Sequence, residues 1–171
     1  MALRPLSRKF AHTSGIDSSL ELFEGLSPRN MDRIRRLLTV LTLPAGKVLA
    51  RQGELGRDFV IVLDGQVAVI HDGTPLAVLT TGCHFGELPM LYRDTSPHLR
   101  ATLHALGPVR VAVSNRREFA SMLDMFPVIK QRIWDLAERR ETYISHLDAH
   151  HFVEKDRAHP GYPVHTLDAA V

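Results

Sequence analysis

Residues Leu43–Ile70 read LPAGKVLARQGELGRDFVIVLDGQVAVI. The apolar residues fall into short runs separated by turn formers, not at helical spacing. Pro44-Ala45-Gly46 turns the chain. Val48 and Leu49 continue as a short strand, and Gly53 and Gly56 open a loop. Phe59–Leu63 is a continuous apolar run of strand length, and Val67 to Val69 is another. Asp64-Gly65 joins them, and such a dipeptide between apolar strands predicts a β-hairpin.

The same punctuation extends outward. Upstream, Leu41 and Leu43 alternate as a strand. Before them Ser27 reads as an N-cap and Pro28 as the first residue of a helix. Met31, Ile34, Leu37 and Leu38 form its apolar face, with arginines opposite. Asp17 can cap a shorter turn through Leu20, Leu22 and Phe23. Downstream, Asp72-Gly73 turns the chain into Leu76–Leu79. Two more strands, Ala101–Leu106 and Val109–Val113, flank Gly107-Pro108. Short strands at intervals of roughly ten residues predict a β-sandwich or jelly roll. Strands do not alternate with helices, which argues against a parallel α/β sheet. Helical periodicity returns at the end. Ser114 or Asn115 can cap, Glu118 suits the first turn, and Phe119, Met122 and Leu123 face inward. Pro127 opens a long helix whose stripe of Ile129, Ile133, Leu136, Tyr143 and Leu147 is broken at Arg140. That stripe is either a dimer seam or packing on the sheets.

One loop concentrates chemistry. Phe85–Leu103, FGELPMLYRDTSPHLRATL, opens with an aromatic-Gly-Glu step and ends on an arginine before small residues. Gly86 permits a close backbone approach or a positive φ. Leu88, Met90 and Leu91 predict one inward-packed helical turn whose early N–H groups are free for an anion. Glu87 offers acceptors for hydroxyls, and Arg100 a bidentate cation for phosphate. Together these groups suit a sugar phosphate.

Length and composition set the limits. The 171 residues fit one domain with appendages, and 44% apolar content supports a core. A formal net charge of +2 gives no general electrostatic case for nucleic acid. The single cysteine, Cys83, excludes an internal disulfide and fits a reducing, cytoplasmic compartment. No apolar run has transmembrane length, so no membrane association is expected. Residues 1–15 lack acids and read as a disordered tail, and residues 149–171, with His, Pro and Asp, as a flexible one. Between them, residues 16–148 are the expected domain, with the β-roll over 40–114 and the C-terminal helices over 115–148. His146 and His150 share a helix face but have no evident third ligand. Cys83 and His84 are adjacent and point to opposite sides of an extended chain, which disfavours joint ligation.

The ordered motifs over roughly Leu22 to Arg140 resemble the cyclic nucleotide-binding domain of the catabolite activator and protein kinase A regulatory subunit family. LFEGLSPRNMDRIRRLL resembles its first helices, the Leu43–Ile70 segment its first hairpins, and LTTGCHFGEL the approach to its phosphate-binding cassette. ATLHALGPVRVAVSNRREFASML and FPVIKQRIWDLAERR resemble its last strands and closing helices. The resemblance implies a mainly β fold with flanking helices, a double-stranded β-helix (jelly roll) with N-terminal helices and a long C-terminal helix. It implies cyclic AMP, or cyclic GMP, as ligand, with Phe85, Gly86, Glu87, Leu88, Arg100, Ala101 and Thr102 as site residues. Glu87 would take the ribose 2′-hydroxyl, Gly86 and the following amides would contact ligand oxygens, and the C-terminal helix would close over the base. Residues around Arg139 to Tyr143, with Thr102, would select the base. No further cofactor and no metal are implied.

Two positions depart from the family pattern. Anchored on Ala101-Thr102-Leu103, the family's phosphate-binding arginine falls on Leu99, and Arg100 stands one place later. In an extended segment that shift sends the side chain to the opposite face, so Arg100 reaches back only if the backbone rearranges. Arg93 is a second candidate. Pro89 stands where the family has an alanine whose N–H faces phosphate, and proline has none. Two readings follow. One is a non-enzymatic sensor that signals through its C-terminal helix to a protein partner, as a homodimer through that helix. The other is a degenerate fold serving protein interaction or dimerisation without tight cyclic nucleotide binding. DNA binding is not expected, because no helix-turn-helix pattern follows the long helix. Catalysis is not expected either, because no nucleophile-base set, metal cluster or Walker loop is present.

Overall fold

The computed structural model describes residues 15–153. Apart from Gly15, the tail expected over residues 1–15 lies outside the described residues, as do residues 154–171. A short 3-10 turn, Glu21–Phe23, leads into helix α1, Pro28–Arg35, which Ser27 caps by accepting from the Asn30 amide (3.3 Å). Eight strands follow: β1 Thr39–Leu43, β2 Val48–Ala50, β3 Asp58–Asp64, β4 Val67–His71, β5 Thr74–Leu79, β6 His84–Phe85, β7 Thr102–Ala105 and β8 Val109–Asn115. Helix α2, Leu88–Leu91, interrupts them, and α3, Arg116–Met125, and α4, Pro127–Val153, complete the chain. The strands make two antiparallel four-stranded sheets, ordered β1-β8-β3-β6 and β2-β7-β4-β5. This is the expected jelly-roll architecture with flanking helices.

The two Asp-Gly dipeptides behave differently. Asp72-Gly73 closes a true two-residue hairpin between β4 and β5, with φ of 47° and 78°. Those positive angles at both central positions fit the right-handed twist of the paired strands. Asp64-Gly65 does not make the expected hairpin. Strand β3 pairs with β6 and β8, whereas β4 pairs with β5 and β7, so the dipeptide is a corner where the chain changes sheets. The reason is visible in β3, which is apolar on both faces. Phe59, Ile61 and Leu63 pack on the helices, and Val60 and Val62 fill the space between the sheets. A strand buried on both sides needs a central position in its sheet, and β8 and β6 supply the neighbours.

Two cores result. One joins α1, α3 and the first half of α4 to the outer face of β3, with Phe23, Ile34, Met122, Ile129 and Ile133 fully enclosed. The other lies inside the roll. Asn115 caps α3 with a reciprocal box: its side chain accepts from the Arg117 and Glu118 amides, and Glu118 accepts from the Asn115 amide. Arg132 of α4 donates to the carbonyls of Glu21, Leu22 and Glu24 at 2.9–3.1 Å, which ties the helix to the N-terminal turn. Ile129, Ile133 and Leu136 of the predicted stripe are buried in the chain's own core. Tyr143 is exposed and Leu147 half-buried.

Candidate functional site

Strand β6 and helix α2 set the floor of the site. Phe85 pairs with Val60, which turns its ring into the roll. Gly86 follows with φ +88°, and a Cβ there would lie 2.1 Å from the Asp58 carbonyl oxygen. Only glycine fits, because conformation and space exclude a side chain together. Glu87 is then delivered inward, 1% exposed, at the start of α2. Pro89 is buried on Gly56, where an added Cβ would overlap its ring. The Met90 and Leu91 amides both donate to the Glu87 carbonyl (3.0 and 2.8 Å). Those two donors of the cassette turn are thus used internally, and Pro89 has none to offer. The expectation of several free N–H groups at this turn does not hold for these three residues.

The opposite wall is a bend, not an extended strand. Leu99 is held on both sides, its amide donating to Glu54 O and its carbonyl accepting from Gly53 N (both 2.8 Å). Arg100 and Ala101 form the bend before β7 begins at Thr102. His71, buried at the end of β4, donates from Nδ1 to the Arg100 carbonyl at 2.6 Å. Strict alternation therefore fails here, and Leu99 and Arg100 both line the same cavity of about 370 Å3. Phe85, Gly86, Glu87, Leu88, Pro89 and Ala101 line it as well. Thr102 is not among the lining residues; its hydroxyl accepts from the Gln52 amide (3.1 Å). Arg93 pairs with its neighbour Asp94 and is also outside the lining.

Helix α4 roofs the cavity. Arg140 donates from one nitrogen to Glu87 Oε1 and to the His84 carbonyl, each at 2.7 Å. Arg100 pairs with Glu141 at 3.2 Å. Arg139, Tyr143 and Ile144 complete the roof, and one turn earlier Trp134 meets Tyr92, beyond α2, edge-on at 5.7 Å. Burial alone would raise the Glu87 carboxyl. The Arg140 charge and the neighbouring His84 override it and hold the group at about 2. Burial pushes the His84 imidazole below its ordinary value, against the pull of Glu87. Its ring lies on Phe59, and its Nδ1 stands 3.7 Å from Glu87 Oε2, beyond hydrogen-bond reach. Neither atom has another hydrogen-bond partner among the described residues.

Sequence reasoning placed selectivity around Arg139 to Tyr143 but did not pair Arg140 with Glu87. The break of the apolar stripe at Arg140 was the available signal: a cation on an otherwise inward face requires an anion. The walls from β4, β5 and β7, such as Val69, Leu76 and Leu103, carried no signal beyond strand periodicity. His146 donates from Nδ1 to the Thr142 carbonyl of its own helix, at 2.7 Å, and the His150 side chain lies outside the described residues. Among the described residues no helix is long and apolar enough to cross a membrane.

Known proteins resemble this chain in sequence and in fold. Residues 40–125, about half of the chain, match the family described as "Cyclic nucleotide-binding domain". The acetyltransferase Pat of Mycolicibacterium smegmatis is 32% identical over 127 residues, which is 72% of this chain and 37% of that protein. The cAMP-dependent protein kinase regulatory subunit of Schizosaccharomyces pombe is 27% identical over 60% of this chain and 24% of its own length. The chain thus spans well under half of these curated relatives. The crystal structure of the Thermus thermophilus catabolite activator protein superposes with a TM-score of 0.64 at 27% identity, covering 77% of this chain and 63% of that one. The matched residues 40–125 hold the strands from Val40 through β8, the Gly-Glu step, α2 and α3, and the chain belongs to the cyclic nucleotide-binding domain family.

Proposed function

We propose that the chain is a non-enzymatic regulatory module in which a small ligand beside α2 resets α4, and α4 passes the change to a protein partner. One observation carries this reading. Arg140 of α4 holds Glu87 at the cavity wall, so a ligand that engages Glu87 acts on the same carboxylate that fixes the helix. Binding and helix position are then linked, because a ligand shifts an equilibrium only by its differential affinity for the two states.

The family's ligand, cyclic AMP, is the first candidate, with cyclic GMP beside it. Glu87 Oε2, which has no hydrogen-bond partner, is the acceptor left for a ribose hydroxyl. Phe85, Gly86 and Leu88 would line the sugar, and Arg100, with Ala101 beside it, would face the cyclic phosphate after leaving Glu141. Thr102 would contribute only behind this wall, through Gln52. A protein partner, a second copy of the chain included, would dock on α4 beyond Ala137.

Leu99 and Pro89 favour a second reading, the ligand-independent interaction module. A charge-assisted hydrogen bond contributes about 1.5–3 kcal/mol and a neutral one about 1 kcal/mol. A site lacking both binds cyclic AMP about two to three orders of magnitude more weakly. Calorimetric titration of the wild type and Arg100→Ala, with the single tryptophan as reporter of α4, separates the readings. Weak binding that Arg100→Ala abolishes supports the sensor. Absence of heat and of any Trp134 change at about 1 mM cyclic AMP and cyclic GMP, a binding free energy below about 4 kcal/mol, removes cyclic nucleotides.

A further inference from the structure

The cavity's lining also suits a ligand class besides the nucleotides. A cyclic nucleotide buries a sugar and a phosphate, and each buried polar group costs free energy unless a partner meets it. Among the lining residues such partners are few: Glu87, three arginines and the Tyr143 hydroxyl, besides backbone. The walls are carbon. Val69, Leu76 and Leu79 come from β4 and β5, Leu103 from β7, Phe85 from the floor, and Leu99 replaces the cation expected in the middle of the phosphate side. A volume of about 370 Å3 lies within the usual range for small-molecule sites. Apolar surface moved into such a space gains about 25 cal/mol per Å2.

Charge at the mouth selects the head group. Arg100, Arg139 and Arg140 line the cavity against one carboxylate, Glu87. Arg140 is committed to Glu87 and Arg100 to Glu141. Arg139 is exposed and makes no hydrogen bond or ion pair with a described residue. A planar guanidinium at the rim of an apolar chamber matches a carboxylate bidentately. A neutral apolar ligand would make no use of that guanidinium.

We propose that the cavity binds an amphipathic monocarboxylate, with an apolar ring or chain against Leu76, Leu99 and Leu103 and its carboxylate on Arg139. The proposal rests on the reading that the cavity is a ligand site sensed by α4, and it names the ligand. The body fills the space beneath α4, and the head attaches to α4 itself, so occupancy fastens the helix and does not compete for Glu87.

The test uses the full chain with 4-butylbenzoate, its neutral analogue 4-butylbenzamide, and cyclic AMP, by calorimetry and Trp134 emission. The benzoate is expected to bind more tightly than cyclic AMP and about tenfold more tightly than the benzamide. Arg139→Ala, at an exposed position without partners among the described residues, should lose that tenfold for the benzoate and leave the benzamide unchanged. Leu76→Ala, on a half-buried strand position outside both cores, should weaken benzoate and benzamide alike. The proposal falls if the benzoate does not bind at about 1 mM. It also falls if the benzamide binds equally well, or if cyclic AMP binds more tightly. Cyclic AMP binding that moves Trp134, without benzoate binding, defeats the ligand class and leaves the regulatory reading standing. Benzoate binding with Trp134 unmoved supports the class and defeats the readout through α4.

Discussion

Glu87, His84 and Arg140 crowd charge and imidazole into a space almost closed to solvent, while Leu99 and Pro89 present carbon to the cavity. Glu87, Pro89 and Leu99 belong to one loop. The charged group keeps the acidic residue expected of its family, and the apolar pair lacks the arginine and the amide. The difference teaches that a retained site residue need not be retained for a ligand. Glu87 has a structural occupation of its own, because Arg140 uses it to hold α4 onto the roll. Leu99 has no such polar duty and packs against the core inside the roll.

The sharpest way to break this contrast is Arg140→Ala. It leaves the Glu87 carboxylate buried and unpaired, and loss of one partner of a buried pair costs about 3–5 kcal/mol. Chemical denaturation should show that loss, and Trp134 emission should report a displaced α4. An unchanged midpoint would mean that the carboxylate finds another cation or leaves the interior.

Acid should act on the same charged group with slightly less force. The Glu87 carboxyl is held at about 2 in the fold, against an ordinary value near 4.5. A depressed acid contributes stability that is complete above its unfolded value and is lost as pH falls from about 4.5 through about 2. The shift corresponds to roughly 3 kcal/mol. His84, also depressed, adds a loss of the same sign that begins as pH falls below its ordinary value of 6.5. Glu87→Gln should remove the lower portion of the slope and leave the upper. A wild-type stability independent of pH from 7 to about 2.5 would contradict both shifts.

The apolar pair can be converted instead of broken. Leu99→Arg restores a cation where the family pattern has one. It is expected to strengthen cyclic AMP binding by about 1.5–3 kcal/mol, or about 10- to 150-fold, in a calorimetric titration. Failure to gain would mean that the bend at Arg100 and Ala101 points this position away from any phosphate. Pro89→Ala should give a smaller gain, about 1 kcal/mol, by supplying one amide. If the restored amide only joins the internal hydrogen bonds of α2, affinity stays where it was.

Several features were legible because their causes are local. Asn115 and Glu118 announce the start of α3, and Ser27-Pro28 and Pro127 the starts of α1 and α4, since caps act within one turn. Gly86 was readable as a backbone requirement for the same reason. The Asp64-Gly65 corner was not. Its dipeptide is indistinguishable in sequence from Asp72-Gly73, and only the competition of β3 for neighbours on both sides separates them.

The sequence by itself determined where most strands lie, the helix starts, the Gly-Glu step and the absence of an arginine at position 99. Each depends on residues within a few positions of one another. Only the tertiary structure decided which strands pair, that Leu99 and Arg100 share one wall, and that Glu87 meets a cation 53 residues away. Those outcomes depend on how two buried faces are divided between sheets, and on where a long helix comes to rest. No local propensity encodes either, because each is settled by the packing of the whole core.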